Sequence, residues 1–261
     1  MKTLKEPILI VLVVLVLFLF YGFSSYSISI EGFTLKKVRI NHFFNYQVSL
    51  KQPHLVDKVT KELIESSTIK MDTTPQRILL TGDSMVEGLM YAFKDYAIEN
   101  GHDLFPAIWY SSSTLVWGQS EQLKKLIDFY KPTIVFLALG SNELFIRNII
   151  EDRAQYVDNI LKQLGDTKIL WIGPPNWKPD TGINELIEKK LGKKRFFLSK
   201  NLQLSRSSDG AHPTREASRI WADTLFHWVK NHSMYPFLLE KPQKNYRKSP
   251  NCFFIKGNYP E

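Results

Sequence analysis

From residue 77 onward the sequence predicts an α/β domain, a three-layer α/β/α sandwich around a parallel sheet. Three observations carry this. Apolar runs at 78–81, 133–139 and 169–172 show no alternation with polar residues, as expected of strands buried on both faces. Between them lie segments whose apolar residues recur at helical spacing. Strands alternating with helices of that length build a parallel sheet covered on both sides.

The chain begins with Lys2 and Lys5, followed by an uncharged apolar run over residues 8–21. With Pro7, Gly22 and Phe23 the run reaches the short end of a membrane-spanning helix, here assigned to residues 7–23. The two lysines favour a cytoplasmic N-terminus, residues 1–6, with everything after the span outside the cytoplasm. A cleaved signal peptide is the rival reading. Ser25 and Ser27 would mark its cut, but the run exceeds the ~7–15 residues usual for such a segment and no Ala-x-Ala follows. Both readings export the domain, and a retained anchor would make the protein single-pass. Residues 24–76 read as a stalk with strand material at 33–35 and 38–40. They end in a packing helix over 56–69, with Val56, Val59, Leu63 and Ile64 on one face, closed by the turn chemistry of Asp72, Thr73, Thr74 and Pro75.

The domain itself, residues 77–232, opens with the strand at 78–81, which runs into Gly82-Asp83-Ser84. Met85, Leu89, Met90 and Phe93 then mark a helix. A strand at 105–110 follows, then a loop through 111–118, a helix at 121–130 closed by Pro132, and the buried strand at 133–139. A helix at 156–164, the strand at 169–172, a helix at 183–191 and a short strand at 195–198 complete the alternation. Pro213 suits the first position of a last helix, with Ala217, Ile220, Trp221, Leu225 and Trp228 on its inner face. Residues 233–261 form a basic tail carrying Lys241, Lys244, Arg247, Lys248 and Lys256. It reads as a solvated strap; the alternative is a salt-sensitive contact with an acidic polymer or anionic headgroups.

Composition narrows the function. The 261 residues carry a net charge of +8 and one cysteine, Cys252. A single cysteine makes no internal disulfide, and His and Cys do not cluster at metal-ligand spacing, so neither metal nor cofactor is expected. The positive charge fits solubility and the positive-inside rule, with affinity for an anionic polymer as the sharper alternative. An exported chain with no nucleic-acid module is not expected to bind nucleic acid.

Four small motifs carry the chemistry: Gly82-Asp83-Ser84, Gly118, Gly140-Ser141-Asn142-Glu143 and Asp209-Gly210-Ala211-His212. In an open parallel sheet, loops past the carboxyl ends of the strands gather on one edge, so these motifs are expected to meet there. Serine needs a base within hydrogen-bond reach, and His212 suits that task. Asp209, three residues before it, can fix the imidazole if the segment turns back on itself. Asp83 reads as a loop brace.

In order and placement these motifs resemble the four sequence blocks of the SGNH hydrolases, also called the GDSL esterase/lipase superfamily, over roughly residues 77–230. The resemblance implies an SGNH/flavodoxin-like fold, a Ser84–His212–Asp209 triad, and an oxyanion hole made of the N–H groups of Ser84 and Gly118 and the side-chain amide of Asn142. The loop 111–114 offers other backbone donors, Ser113 or Thr114, if the chain turns earlier. Family members act on lipids, thioesters and acetylated sugars, and some transfer acetyl groups between glycans. An exported, tethered domain with Trp117 and Trp177 in its loops points to an O-acetylated glycan, with those two rings as stacking candidates and core packing as the alternative for each tryptophan. Three function classes follow: hydrolysis of acyl esters on a glycan or lipid, O-acetyl transfer to an exported polysaccharide from a membrane-bound acyltransferase, and a non-catalytic glycan-binding scaffold. The intact serine, asparagine, aspartate and histidine argue against the scaffold.

Overall fold

Ser29–Ile30 (β1) and Phe33–Thr34 (β2) pair antiparallel in the first of two units, Met1–Thr68. The computed structural model describes these two strands by their backbone and otherwise residues 70–246 and 248–256. The expected membrane span at 7–23 and the expected helix at 56–69 lie outside the described residues. Among the described residues no helix is long and apolar enough to cross a membrane.

The second unit, Ile69–Glu261, is the α/β sandwich. Its elements are Arg77–Gly82 (β3), Met85–Asn100 (α1), Asp103–Ile108 (β4), Thr114–Gln119 (α2), Gln122–Tyr130 (α3) and Ile134–Ala138 (β5). They continue with Ile149–Lys162 (α4), Lys168–Ile172 (β6), Ile183–Leu191 (α5), Phe196–Phe197 (β7), Arg215–His232 (α6) and Phe253–Phe254 (β8). The sheet has six strands in the order β7-β6-β5-β3-β4-β8, every pair parallel.

Strand periodicity builds the two cores. Ile78 and Leu80 of β3 and Phe136 of β5 face the layer of α1 and α6, where Phe93, Trp221 and Phe226 are fully buried. Leu79, Val135 and Leu137 face the opposite layer, against Trp117, Leu123, Ile160 and Ile187. With both faces covered, β3, β5 and β6 show no alternation in their sequences.

The order of connection positions the site. From β3 the chain crosses to β4 on one side, then returns to β5 on the other, so β3 and β5 flank the reversal point where open α/β sheets bind ligands. The loops holding Ser84 and Asn142 leave these two neighbouring strands. Gly82 ends β3 with φ 145°, and a Cβ there would lie 1.8 Å from the Ala138 carbonyl oxygen, so only glycine lets the two strand ends approach.

Several boundaries differ from expectation. The helix expected at 156–164 starts at Ile149; Glu151 and Asp152 suit its N-terminus, but its buried positions Ile149, Val157 and Ile160 are sparse. The last helix starts at Arg215 rather than Pro213. Its cap is Thr214, whose Oγ1 accepts the Ala217 N–H at 3.1 Å, and Pro213 instead bridges Arg206. Residues 114–119, expected as loop, form α2. The tail is not wholly a solvated strap: β8 extends the sheet beside β4, and Phe237, Leu239 and Ile255 are buried.

Candidate active site

Ser84 follows β3 after Asp83 and caps the start of α1, with its backbone N–H at the positive end of a 16-residue helix. Asp83 sets this elbow. Its carboxylate accepts the Met85 N–H at 2.9 Å and the Ser141 N–H at 3.3 Å, tying the serine loop to the loop after β5. Asp83 is fully buried, and burial, with Glu143 nearby adding to it, pushes its carboxyl up to about 7.

His212 arrives from the loop between β7 and α6. That loop closes tightly: the Ser207 N–H and hydroxyl both donate to the His212 carbonyl, at 2.9 and 2.8 Å, and Arg206 pairs with Pro213. The guanidinium of Arg206 donates to the Ala211 carbonyl at 2.8 Å and to the Pro175 carbonyl at 2.7 Å, pinning the loop to the one after β6. His212 Nε2 lies 2.7 Å from Ser84 Oγ, and His212 Nδ1 lies 2.7 Å from Asp209 Oδ2. Asp209 Oδ1 accepts the N–H groups of Ala211 and His212 at 2.8 and 2.9 Å. The His212 and Ala211 backbone N–H bonds, then the ring N–H, hold the Asp209 carboxyl far below the usual carboxylate range. An ionised Asp209 only accepts, so Nδ1 carries the proton and Nε2 is free to accept from the Ser84 hydroxyl.

Asn142 sits on a short 3-10 turn, Ser141–Glu143. Its Nδ2 donates one hydrogen to the Ser112 carbonyl at 2.8 Å, which leaves the second hydrogen and ties the turn to the loop after β4. Glu143 makes a second tie. It is fully buried, and one carboxylate oxygen accepts the Thr114 N–H while the other has no partner among the described residues. Burial raises its carboxyl too.

Gly118, expected from the resemblance to offer a backbone donor, does not line the cleft that holds Ser84 and His212. That residue is buried within α2, where its N–H belongs to the helical ladder. A Cβ on it would meet the Tyr156 backbone at 2.6 Å, so Gly118 serves the close approach of α2 to α4. Thr114 is also spent, on Glu143. Ser111 is the loop member that lines the cleft. It adopts φ 56°, rare for a residue other than glycine, and its N–H has no partner among the described residues. The cleft holds about 510 Å³ and brings together Ser84, Ser111, Asp209 and His212. An open cavity of about 590 Å³ beside α5 shares no residue with it and holds none of these groups.

Trp117 is not a stacking residue. It is completely buried, its Nε1–H donates to Ser112 Oγ at 2.9 Å, and it packs edge-on to Trp109. Trp177 is half-buried and stands beside the Asn142 turn, with its Nε1–H 3.3 Å from Ser141 Oγ. Its ring meets the exposed Phe145 at 5.4 Å, and the Lys178 ammonium lies over both rings. Reading from sequence singled out neither Arg206 nor the acceptor role of Glu143. An arginine in a polar loop and a glutamate after Gly-Ser-Asn give no periodic signal.

No family model matches the sequence, and no curated protein does. Solved structures that it resembles include TesA, at 19% identity over 59% of this chain and 98% of that one, with a TM-score of 0.45. Another is the psychrotrophic esterase EstA from Pseudoalteromonas sp., at 19% identity over 59% and 96%, with a TM-score of 0.44. A third is a family 3 carbohydrate esterase from Clostridium thermocellum, at 16% identity over 59% and 94%, also with a TM-score of 0.44.

Proposed function

We propose that this chain is a serine-dependent acyl-ester hydrolase of the SGNH type, acting outside the cytoplasm on an O-acetylated glycan and tethered by residues 7–23. The observation that carries the chemistry is the unbroken relay from Ser84 Oγ through His212 to Asp209, both bonds 2.7 Å. In this reading Ser84 Oγ attacks the ester carbonyl while His212 Nε2 takes its proton. The oxyanion is met by the N–H groups of Ser84 and Ser111 and by the free hydrogen on Asn142. Collapse breaks the carbon–oxygen bond to the sugar, and the leaving alkoxide takes the proton from His212. Water then attacks the acyl-Ser84 carbonyl with His212 as base, the acid leaves, and Ser84 regains its proton.

Transfer to a second sugar hydroxyl differs only in the attacking group, and a membrane-bound acyltransferase would then be the donor's source. One experiment tests both readings: release of p-nitrophenol from p-nitrophenyl acetate, with and without an oligosaccharide acceptor, together with mass analysis of the Ser84 peptide. An acetyl adduct on Ser84, lost in Ser84→Ala, supports acyl-enzyme chemistry. A new acetylated sugar with faster release selects transfer; release indifferent to acceptor selects hydrolysis. Absence of any Ser84-dependent release sinks the enzymatic reading and leaves the glycan-binding scaffold.

A further inference from the structure

The cleft does not end at the catalytic groups. The cavity that holds Ser84 and His212 also takes in Glu87, Tyr91, Tyr110 and Arg215. A second cavity, of about 180 Å³, is lined by Gly88, Tyr91, Asp95, Arg215, Arg219 and Asn245, among others. Gly88, Tyr91 and Arg215 belong to both, so the two spaces adjoin at the Tyr91–Arg215 pair and together run as a groove from the serine along the line where α1 meets α6.

The groove walls follow from helix periodicity. Glu87, Tyr91 and Asp95 are spaced by four and share one face of α1, while Arg215 and Arg219 share one face of α6. Two aromatic stations lie in sequence. At the first, the Tyr110 hydroxyl donates to Glu87 at 2.9 Å, and its ring lies parallel to Phe254. At the second, the Arg215 guanidinium stands 4.2 Å over the Tyr91 ring and makes no ion pair or hydrogen bond among the described residues. Beyond them Arg219 is closed onto the buried Asp95 at 2.6 Å.

Each station pairs an aromatic body with a strong polar group, a carboxylate acceptor at the first and a guanidinium donor at the second. A sugar ring needs that pairing: apolar C–H groups that rest on an aromatic, and hydroxyls that both donate and accept. A long acyl chain fits badly, because seating it here strips water from Glu87 and Arg215 with nothing to replace it.

Resting on the ester chemistry argued above, we propose that this groove is the binding site for the alcohol side of the substrate and holds a polysaccharide strand. One ring sits at Tyr110 and Glu87 and the next at Tyr91 and Arg215, so the ester is taken from within a chain rather than from a lipid or a lone sugar. Sequence reading pointed to neither Tyr91 nor Arg215, since one is a helical aromatic at core spacing and the other an ordinary surface arginine.

The test uses the full chain carrying Ser84→Ala, so that ligands stay intact. It is titrated by calorimetry with de-esterified xylo-, cello-, chito- and galacturonate oligosaccharides of increasing length. At least one series is expected to bind, more tightly for two rings than for one. Adding Tyr91→Ala or Arg215→Ala is expected to weaken that binding about tenfold, while Glu188→Gln at the separate cavity beside α5 leaves it unchanged. Circular dichroism confirms that each variant is folded. No binding by any series, or binding indifferent to both Tyr91→Ala and Arg215→Ala, overturns the proposal. So does a kcat/KM in the Ser84 protein that climbs from p-nitrophenyl acetate to p-nitrophenyl decanoate and loses that climb in Tyr91→Ala, because the groove would then hold acyl chains. Failure of the ester chemistry itself reads separately, as absence of Ser84-dependent release from p-nitrophenyl acetate.

Discussion

Asp209 grips His212 twice: one carboxylate oxygen takes the ring Nδ1–H at 2.7 Å and the other takes the backbone N–H at 2.9 Å. The grip fixes both the tautomer and the place of the imidazole, which the proposed triad asks of its orienting group. His212→Ala is therefore expected to cost on the order of 10⁶ in kcat and Asp209→Ala on the order of 10⁴. Asp209→Asn should resemble Asp209→Ala, because an amide can point an N–H at Nδ1 and reverse the tautomer. Turnover of p-nitrophenyl acetate by purified variants decides the matter. Near-normal rates in His212→Ala would remove the base from the mechanism. Ser84→Ala should abolish turnover and leave the melting temperature almost where it was.

The Asn142 amide spends one hydrogen on Ser112, and the proposed reaction assigns the other to the oxyanion. A donor aimed at charge that develops only in the transition state affects kcat more than KM. Asn142→Ala should lower kcat about 100- to 1000-fold with KM within a few-fold of the parent. Asn142→Asp keeps the outline, removes both donors and brings a charge that repels the oxyanion, so it should be at least as damaging. Steady-state kinetics showing a rise in KM at constant kcat would instead make Asn142 a ground-state binding residue.

Gly118 and Ser111 make opposite stability predictions. A methyl at Gly118 runs into the Tyr156 backbone at 2.6 Å, so Gly118→Ala should destabilise by about 1–3 kcal/mol through overpacking. Turnover per folded molecule should persist, because Gly118 lies outside the cleft. Ser111 holds φ 56°, a conformation that costs an L-residue about 1–2 kcal/mol, so Ser111→Gly should gain about 1 kcal/mol. Urea unfolding measures both changes. A Gly118→Ala protein that is fully stable would show that α2 can move off Tyr156 and would remove the packing role given to Gly118.

These two positions also show where reading from sequence stops. The sandwich was legible because Ile78 to Leu80 and Ile134 to Ala138 are apolar on both faces and alternate with segments of helical spacing, as a covered parallel sheet requires. Convergence of Ser84, Asp209 and His212 followed from topology, since loops past strand ends share one edge. The identity of the third donor depended instead on where one loop turns into a helix. Gly118 was assigned from the resemblance alone, as the glycine of that loop, whereas the positive φ falls at Ser111. Trp117 misled for a related reason: α2 is too short to show a period, and inside it the ring points to the core. The strand Phe253–Phe254 was illegible because two half-exposed residues in a basic tail carry no alternation.

The buried carboxyl of Asp83 gives the fold a pH dependence with a definite sign. In the unfolded chain an aspartate titrates near 4, and in the fold burial beside Glu143 brings Asp83 up to about 7. Between those values the folded state binds more protons than the unfolded state, so stability falls as pH rises. The contribution is fully present below about pH 4 and is lost as pH climbs through about 7, spanning at most on the order of 4 kcal/mol. Asp83→Asn removes the titration. It also offsets overall stability, because one amide oxygen cannot replace both acceptors that serve Met85 and Ser141. The slope, not the offset, is the readout: urea midpoints from pH 4 to 8 should decline more steeply in the parent than in Asp83→Asn. Glu143→Gln, which removes both the neighbouring charge and a second buried carboxyl that is itself raised, should also flatten the decline relative to the parent. Parallel curves for the parent and Asp83→Asn would mean that Asp83 stays ionised in the fold, with the Met85 and Ser141 N–H groups outweighing its burial.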